Sequence, residues 1–275
     1  MQIKDSSFIS YGGIPVKESW LNNTLVWKSS AWTPSEISTV FWYDPSDAAT
    51  ITTIGSTVTQ VTDKSGNNYT LSATTVGKTG PTIGTRKLNG LNVFEYALTI
   101  PNNQVLENNV FSYDQATTPL CLAMIVRCDN EAISDQDFLF SGTESSTTRI
   151  ALRRTITDQL GIVSNGSIET PAGSATEDMT MLIIAKFNST TSTIRLDGIP
   201  LASGNIGTVA FTSINIGANE LESNNIEGFI AEIVSFADTT NQDIVEGYLA
   251  WKWGLQGNLP AGHPYKNYKP VRFFG

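Results

Sequence analysis

The chain has 275 residues, 26 acidic and 17 basic side chains, a net charge of −9 and a single histidine. A surface of that sign repels phosphate backbones and anionic headgroups, which excludes nucleic acid and membrane as partners, and no run of about eighteen apolar residues offers a membrane span. Charged residues make up only 16% of the chain, and short apolar runs alternate with Thr-, Ser-, Asn- and Gly-rich stretches, the texture of a β-protein with many polar turns.

Residues 1–34 form a distinct opening, with short strands expected around Phe8–Tyr11 and Trp20–Trp27 and turns at Gly12-Gly13 and Asn22-Asn23. Trp20, Trp27 and Trp32 are three of the six tryptophans. So short a segment cannot bury three indoles by itself. Either they pack on the domain that follows, or they form an assembly contact, since aromatic side chains are enriched at interfaces. Both readings stand at this point. Residues 35–275 are expected to form one large domain.

That domain opens with a strand, Val40-Phe41-Trp42-Tyr43, and a tight turn, Asp44-Pro45-Ser46-Asp47. An alternating segment follows at 56–62, with Val58 and Val61 out of phase and a bulge expected between them. Next comes a turn at 63–68. The runs LCLAMIVR (120–127) and MTMLIIAKF (179–187) are apolar on both faces, which places them centrally in a sheet covered on both sides. Cys121 and Cys128 bracket CLAMIVRC, read as one strand. Seven extended steps put them roughly 23 Å apart and on opposite faces, so two reduced, buried thiols are expected. Asp197-Gly198 reads as a two-residue hairpin turn, and 214–217 and 228–236 as the last strands.

Segment 243–265, DIVEGYLAWKWGLQGNLPAGHPY, carries the helical signal. Ile244, Tyr248, Trp251 and Leu255 share one face, widened by Val245 and Leu249. Thr240 is the expected cap with Asp243 at N3. Gly254 and Gly257 are stop signals, and Pro260 and Pro264 bar continuation. The helix is expected to lie as a lid on the sandwich with Trp251 buried, so that Trp251→Ala costs about 3–5 kcal/mol.

Four blocks of residues carry a resemblance to a known family. They are Trp42-x-Asp44-x-Ser46-Asp47-Ala48-x-Thr50, then 63–67 (DKSGN), 228–236 (GFIAEIVSF) and 245–265 (VEGYLAWKWGLQGNLPAGHPY). Together they resemble the concanavalin A-like (LamG-type) jelly-roll domains of phage virion proteins and bacterial surface proteins, over about residues 36–268. Val61 stands where the family tends to have Trp, and Glu95-Tyr96 where it has Asp-Gly. The resemblance implies an all-β fold: a two-layer antiparallel jelly-roll β-sandwich with one C-terminal helix, preceded here by a small N-terminal β-module.

Chemistry is sparse. His263, in Gly-His-Pro-Tyr, has no visible Ser-Asp set and is read as structural. A glycosidase of this fold needs two carboxylates about 5 Å apart, and no E-x-D-x-E run supplies them; Glu227 and Glu232 are oddly spaced. No catalytic residue, metal ligand or cofactor site is expected. The acidic loop 129–137, with Asp129, Glu131, Asp135 and Asp137, is read as a solvated turn rather than a calcium loop. Tyr69, Tyr96 and Tyr113 are the aromatic candidates beside a sugar, each weighed against rim packing.

The expectation is therefore a non-enzymatic virion structural protein of a tailed bacteriophage, in a tail, fibre or head appendage. Its partners would be other virion proteins through residues 1–34 and, by analogy with fibres, two further copies in a homotrimer. The alternatives are a capsid decoration protein and a binder of host surface glycan, with a glycan hydrolase last. The opening residues lack a signal-peptide pattern, so folding in the bacterial cytoplasm and residence on the virion are expected.

Overall fold

The computed structural model describes residues 10–11, 14–15, 18–21, 24–73, 77–97, 104–129, 136–142, 149–219 and 225–274, with the backbone alone for 10–29 and 273–274. Two antiparallel sheets lie face to face as a jelly-roll β-sandwich. One has nine strands, in the order Ser167–Glu169, Leu160–Val163, Ala151–Arg154, Asp137–Ser141, Ile214–Ile216, Leu106–Asn108, Leu71–Ser72, Thr57–Val61 and Ile51–Ile54. The other has seven. Gly228–Phe236, Leu120–Cys128, Thr180–Phe187, Ser192–Leu196 and Ile199–Gly204 follow one another. Phe94–Tyr96 and Thr39–Tyr43 share the outer edge of Gly228–Phe236, one at its start and one at its end.

The register explains why this sequence makes two layers. Directly paired residues point to the same face, so the nine-stranded sheet carries transverse rows. Ile51, Val61 and Leu71 form one, continued by Leu106, Ile216, Phe140, Leu152 and Ile162, and all face the core. The adjacent row, Thr52, Gln60, Ser72, Glu107, Asn215 and Ser141, is polar and faces away. A register shift opposite Thr52/Thr53 leaves Thr59 as an extra residue between Val58 and Val61, the expected bulge.

The seven-stranded sheet is apolar on both faces, as its two long central strands predict. Leu122, Met124, Val126, Ile183 and Ala185 face the sandwich core. Cys121, Ala123, Ile125, Leu182 and Ile184 face the other way, into a second core beneath the helix. Cys121 and Cys128 are both buried, on opposite faces, with no disulfide.

The helix, Gln242–Trp253, covers that second face rather than an end of the sandwich. Its buried residues are Val245, Glu246, Gly247, Leu249, Ala250 and Trp253. Val245 and Leu249 belong to the expected face, and the stripe is rotated toward Glu246 and Trp253, away from Trp251. Trp253 is 1% exposed, whereas Trp251 is only half-buried and donates its indole N–H to the Tyr265 carbonyl. The expected cap is also corrected. Thr240 belongs to a 3₁₀ turn, Thr239–Asn241, where the Asp238 carboxylate accepts its N–H, and Asn241 is the N-cap without a side-chain bond. The helix ends as expected at Gly254, whose φ of 79° is left-handed. Residues 257–265 then return along the helix, and a Cβ at Gly247 would lie 2.5 Å from the Tyr265 Cβ, so only glycine admits this return.

A separate three-stranded sheet joins the chain ends. Thr24–Ala31 pairs with Glu18–Leu21 on one side and with Val271–Phe274 on the other. The proposed unit 1–34 thus takes its third strand from the C-terminal residues. The turns expected at Gly12-Gly13 and Asn22-Asn23 lie outside the described residues.

Candidate functional site

The residues that carry the family resemblance, from Trp42 to Trp253, are spread along the chain and converge on one polar cluster between the helix and the seven-stranded sheet. A bulge starts it. Ile125 pairs with Glu232 and Val126 with Ile230, leaving Ala231 extra. Both Ala231 and Glu232 therefore face the helix, and Glu232 is completely buried. Its carboxylate accepts the indole N–H of Trp42 at 2.7 Å and of Trp253 at 2.6 Å, and the Tyr248 hydroxyl at 3.0 Å. The Lys252 ammonium pairs with it at 2.8 Å.

Lys252 also lies 2.8 Å from Asp44, which pairs with Lys64 at 3.0 Å. Lys64 reaches Asp47 at 2.7 Å and sits over the Trp42 ring. Asp63 organises the neighbouring turn, accepting the N–H groups of Trp42, Ser65 and Tyr69. Burial pushes the Glu232 pKa up, opposed by Lys252. Burial also acts to raise Asp44, but Lys252, Ser46 and Lys64 outweigh it and hold that carboxyl below its usual range.

A second carboxylate lies under the same helix. Glu246, fully buried, takes two bonds of 2.8 Å from the Arg195 guanidinium, which also pairs with Asp243 at 3.0 Å. His263 completes the group. Its Nδ1 accepts the Tyr265 N–H at 3.1 Å, so a neutral ring donates from Nε2 to Glu246, 3.2 Å away. Asp243, Glu246 and His263 come within 4.8 Å of one another, close enough for metal ligands. Arg195 already supplies positive charge beside Glu246, and His263 links the Glu246 carboxylate to the Tyr265 backbone.

Asp44 and Glu232 are two carboxylates sharing one ammonium, a pair with no local sequence pattern. They do not form an accessible acid–base pair: Glu232 is 0% and Asp44 3% exposed, so no glycosidic bond reaches them. Trp32 is buried, with its ring edge-on to Tyr248 at 5.8 Å; for this residue packing on the following domain is what the structure shows. Trp20 and Trp27 lie on the strands Glu18–Leu21 and Thr24–Ala31, with side chains outside the described residues.

Of the tyrosines, Tyr96 is buried at 1%, which removes it as a sugar platform. Tyr69 and Tyr113 are half-buried against Phe111. In the acidic loop, residues 130–135 lie outside the described residues, so the calcium question does too. Its flanks are engaged, Asp129 by Arg86 and Arg127 and Asp137 by Arg154. Glu227 precedes the strand Gly228–Phe236.

No protein-family model matches the chain, and no curated protein matches it. Its fold is similar to that of several solved structures. Domain 4 of AbnA, an extracellular arabinanase from Geobacillus stearothermophilus in complex with arabinotriose, aligns with a TM-score of 0.51 at 13% identity, over 72% of this chain and 92% of that one. A structure of botulinum neurotoxin type C, whose cell entry depends upon interaction with two ganglioside molecules, aligns at 0.53 and 12% identity, over 77% of this chain and 51% of that one. Trypanosoma rangeli sialidase in complex with DANA aligns at 0.50 and 13% identity, over 72% of this chain and 30% of that one. The likeness is one of fold: a jelly-roll β-sandwich.

Proposed function

We propose that this chain is a non-enzymatic structural protein of a tailed-bacteriophage particle that displays a lectin-like β-sandwich in a tail, fibre or head appendage. One observation carries the architectural part. Of the residues that carry the family resemblance, Trp42, Asp44, Glu232, Tyr248, Lys252 and Trp253 fasten the helix to the sheet, and Asp63 and Lys64 hold the turn beside it. Each of these side chains is engaged by partners within the protein, which supports reading the motif as a scaffold signature. The virion assignment rests on the wording of those motifs. Mass spectrometry and cryo-electron microscopy of purified particles test it; absence of the chain from washed particles overturns it, and its copy number separates a tail appendage from a capsid decoration.

A second reading, recognition of host surface glycan, is favoured by the fold shared with an arabinotriose-bound domain and a ganglioside-dependent toxin. An array of host polysaccharides separates the two, since a purely architectural protein gives no hits. Release of reducing ends from a bound polysaccharide would make the protein a hydrolase and overturn the non-enzymatic assignment.

A further inference from the structure

Lys252 stands where an amine can do more than pair. Its Nζ lies 2.8 Å from Asp44 Oδ2 and 2.8 Å from Glu232 Oε2, and 3.4 Å from the Tyr248 hydroxyl. The Tyr248 and Trp253 rings flank it. Both carboxylates are shut away from water. An amine that is 18% exposed, a buried carboxyl carbon and a buried acid–base group are thus held together in one aromatic-walled site. Such fixed proximity replaces solution concentrations by effective molarities on the order of 10⁵–10⁸ M.

We propose that Lys252 and Asp44 condense to an intramolecular amide, with Glu232 as the acid–base group. The ammonium gives one proton to the Glu232 carboxylate, which passes it to a carboxyl oxygen of Asp44. The freed lone pair of Lys252 then adds to the neutral carboxyl group to form the Nζ–Cγ bond, and the hydroxyl that leaves takes a second proton from the nitrogen. The Cγ–O bond breaks and one water leaves. An ammonium and a carboxylate become an amide and water, Glu232 is regenerated, and no oxidant or other reactant enters.

Lys64, 3.0 Å from the same Asp44 oxygen, supplies positive charge where the tetrahedral oxygens develop. It is not the nucleophile, because its other carboxylate, Asp47, is 37% exposed and hydrated. Burial keeps Glu232 easier to protonate than a surface carboxylate, as a proton carrier requires. The amide would join the end of the strand Thr39–Tyr43 to the last turn of the helix and close a loop through most of the sandwich.

Intact mass spectrometry of the denatured full-length protein tests this directly. The expected mass is one water below that of the sequence, and proteolysis should yield a branched peptide joining the segment that contains Asp44 to the one that contains Lys252. Glu232→Gln, which keeps both condensing residues, and Lys252→Arg should each restore the full mass. A wild-type mass equal to that of the sequence leaves the three residues as ion pairs and overturns the proposal. So does a branched peptide through Lys64, or an equal loss of water in Glu232→Gln. The wild-type result decides even if a variant fails to fold.

Discussion

At the scale of the residue, this fold is held by carboxylates whose partners come from elsewhere in the chain. Glu246 is fully buried on the helix, and Arg195 from the strand Ser192–Leu196 compensates it. Breaking a buried pair strands the remaining charge at about 3–5 kcal/mol. Arg195 is itself partly exposed, so Arg195→Met is expected at the lower end, about 3 kcal/mol, as a fall in the urea midpoint. Asp129 supplies a pH signature. The Arg86 hydrogen bond holds its pKa down, against burial and with help from Arg127. A depressed folded pKa stabilises fully above the unfolded value, about 3.9, and that stabilisation is lost as pH falls through the folded value. Wild-type protein should therefore lose stability more steeply below about pH 4 than Asp129→Asn; equal acid slopes would contradict this. Burial pushes the Cys121 thiol up to about 12 and Cys128 is shut away from reagent by burial, so neither cysteine should react with a thiol reagent at pH about 8 until the protein is unfolded, when both should.

At the scale of the element, the helix shows how far periodicity reaches. Its existence and its stop at Gly254 were legible, but its rotation was not. The apolar pattern selects Ile244, Tyr248, Trp251 and Leu255 with Val245 and Leu249; the last two are buried, but the stripe turns to include Glu246, a residue that any hydrophobic count places outside. Arg195, 51 residues earlier, makes that placement affordable, and a local window contains no trace of it. Trp253→Ala should accordingly cost about 3–5 kcal/mol, since it empties a buried site and removes a donor to Glu232. Trp251→Ala should cost about 1–2 kcal/mol, the loss of one bond and partial packing. Parallel denaturation curves decide the order, and a costlier Trp251 would return the stripe to its sequence-derived position. The strand Gly228–Phe236 makes the same point. Counting alternate residues puts Glu232 with Ile230 and Val234, but the bulge at Ala231 moves it to the helix side.

At the scale of the whole molecule, the chain ends share a sheet. Removing residues 1–31 takes away the partner of Val271–Phe274 but keeps Trp32 against Tyr248 and the buried Pro34. A protein lacking 1–31 and 271–275 should therefore keep the cooperative unfolding of the sandwich. A cut after residue 34 should lose a further 3–5 kcal/mol or so with the Trp32 ring. Thermal melts of the two truncations measure the difference. Equal melting temperatures would mean that Trp32 adds nothing to the sandwich and would leave it available as an assembly contact.

The sequence by itself determined the β-sandwich, the two central strands apolar on both faces, the opposite-facing cysteines, the hairpin at Asp197-Gly198 and the closing helix. These follow from period-2 alternation, turn chemistry and motif wording, all of which act over a few residues. Tertiary structure alone decided that the four motif blocks meet in one cluster, that Trp253 rather than Trp251 points inward, and that residues 271–274 complete the N-terminal sheet. Each of those outcomes depends on pairing charges, indoles or strand edges across as many as 246 positions. A buried carboxylate is stable only once its distant donors have arrived.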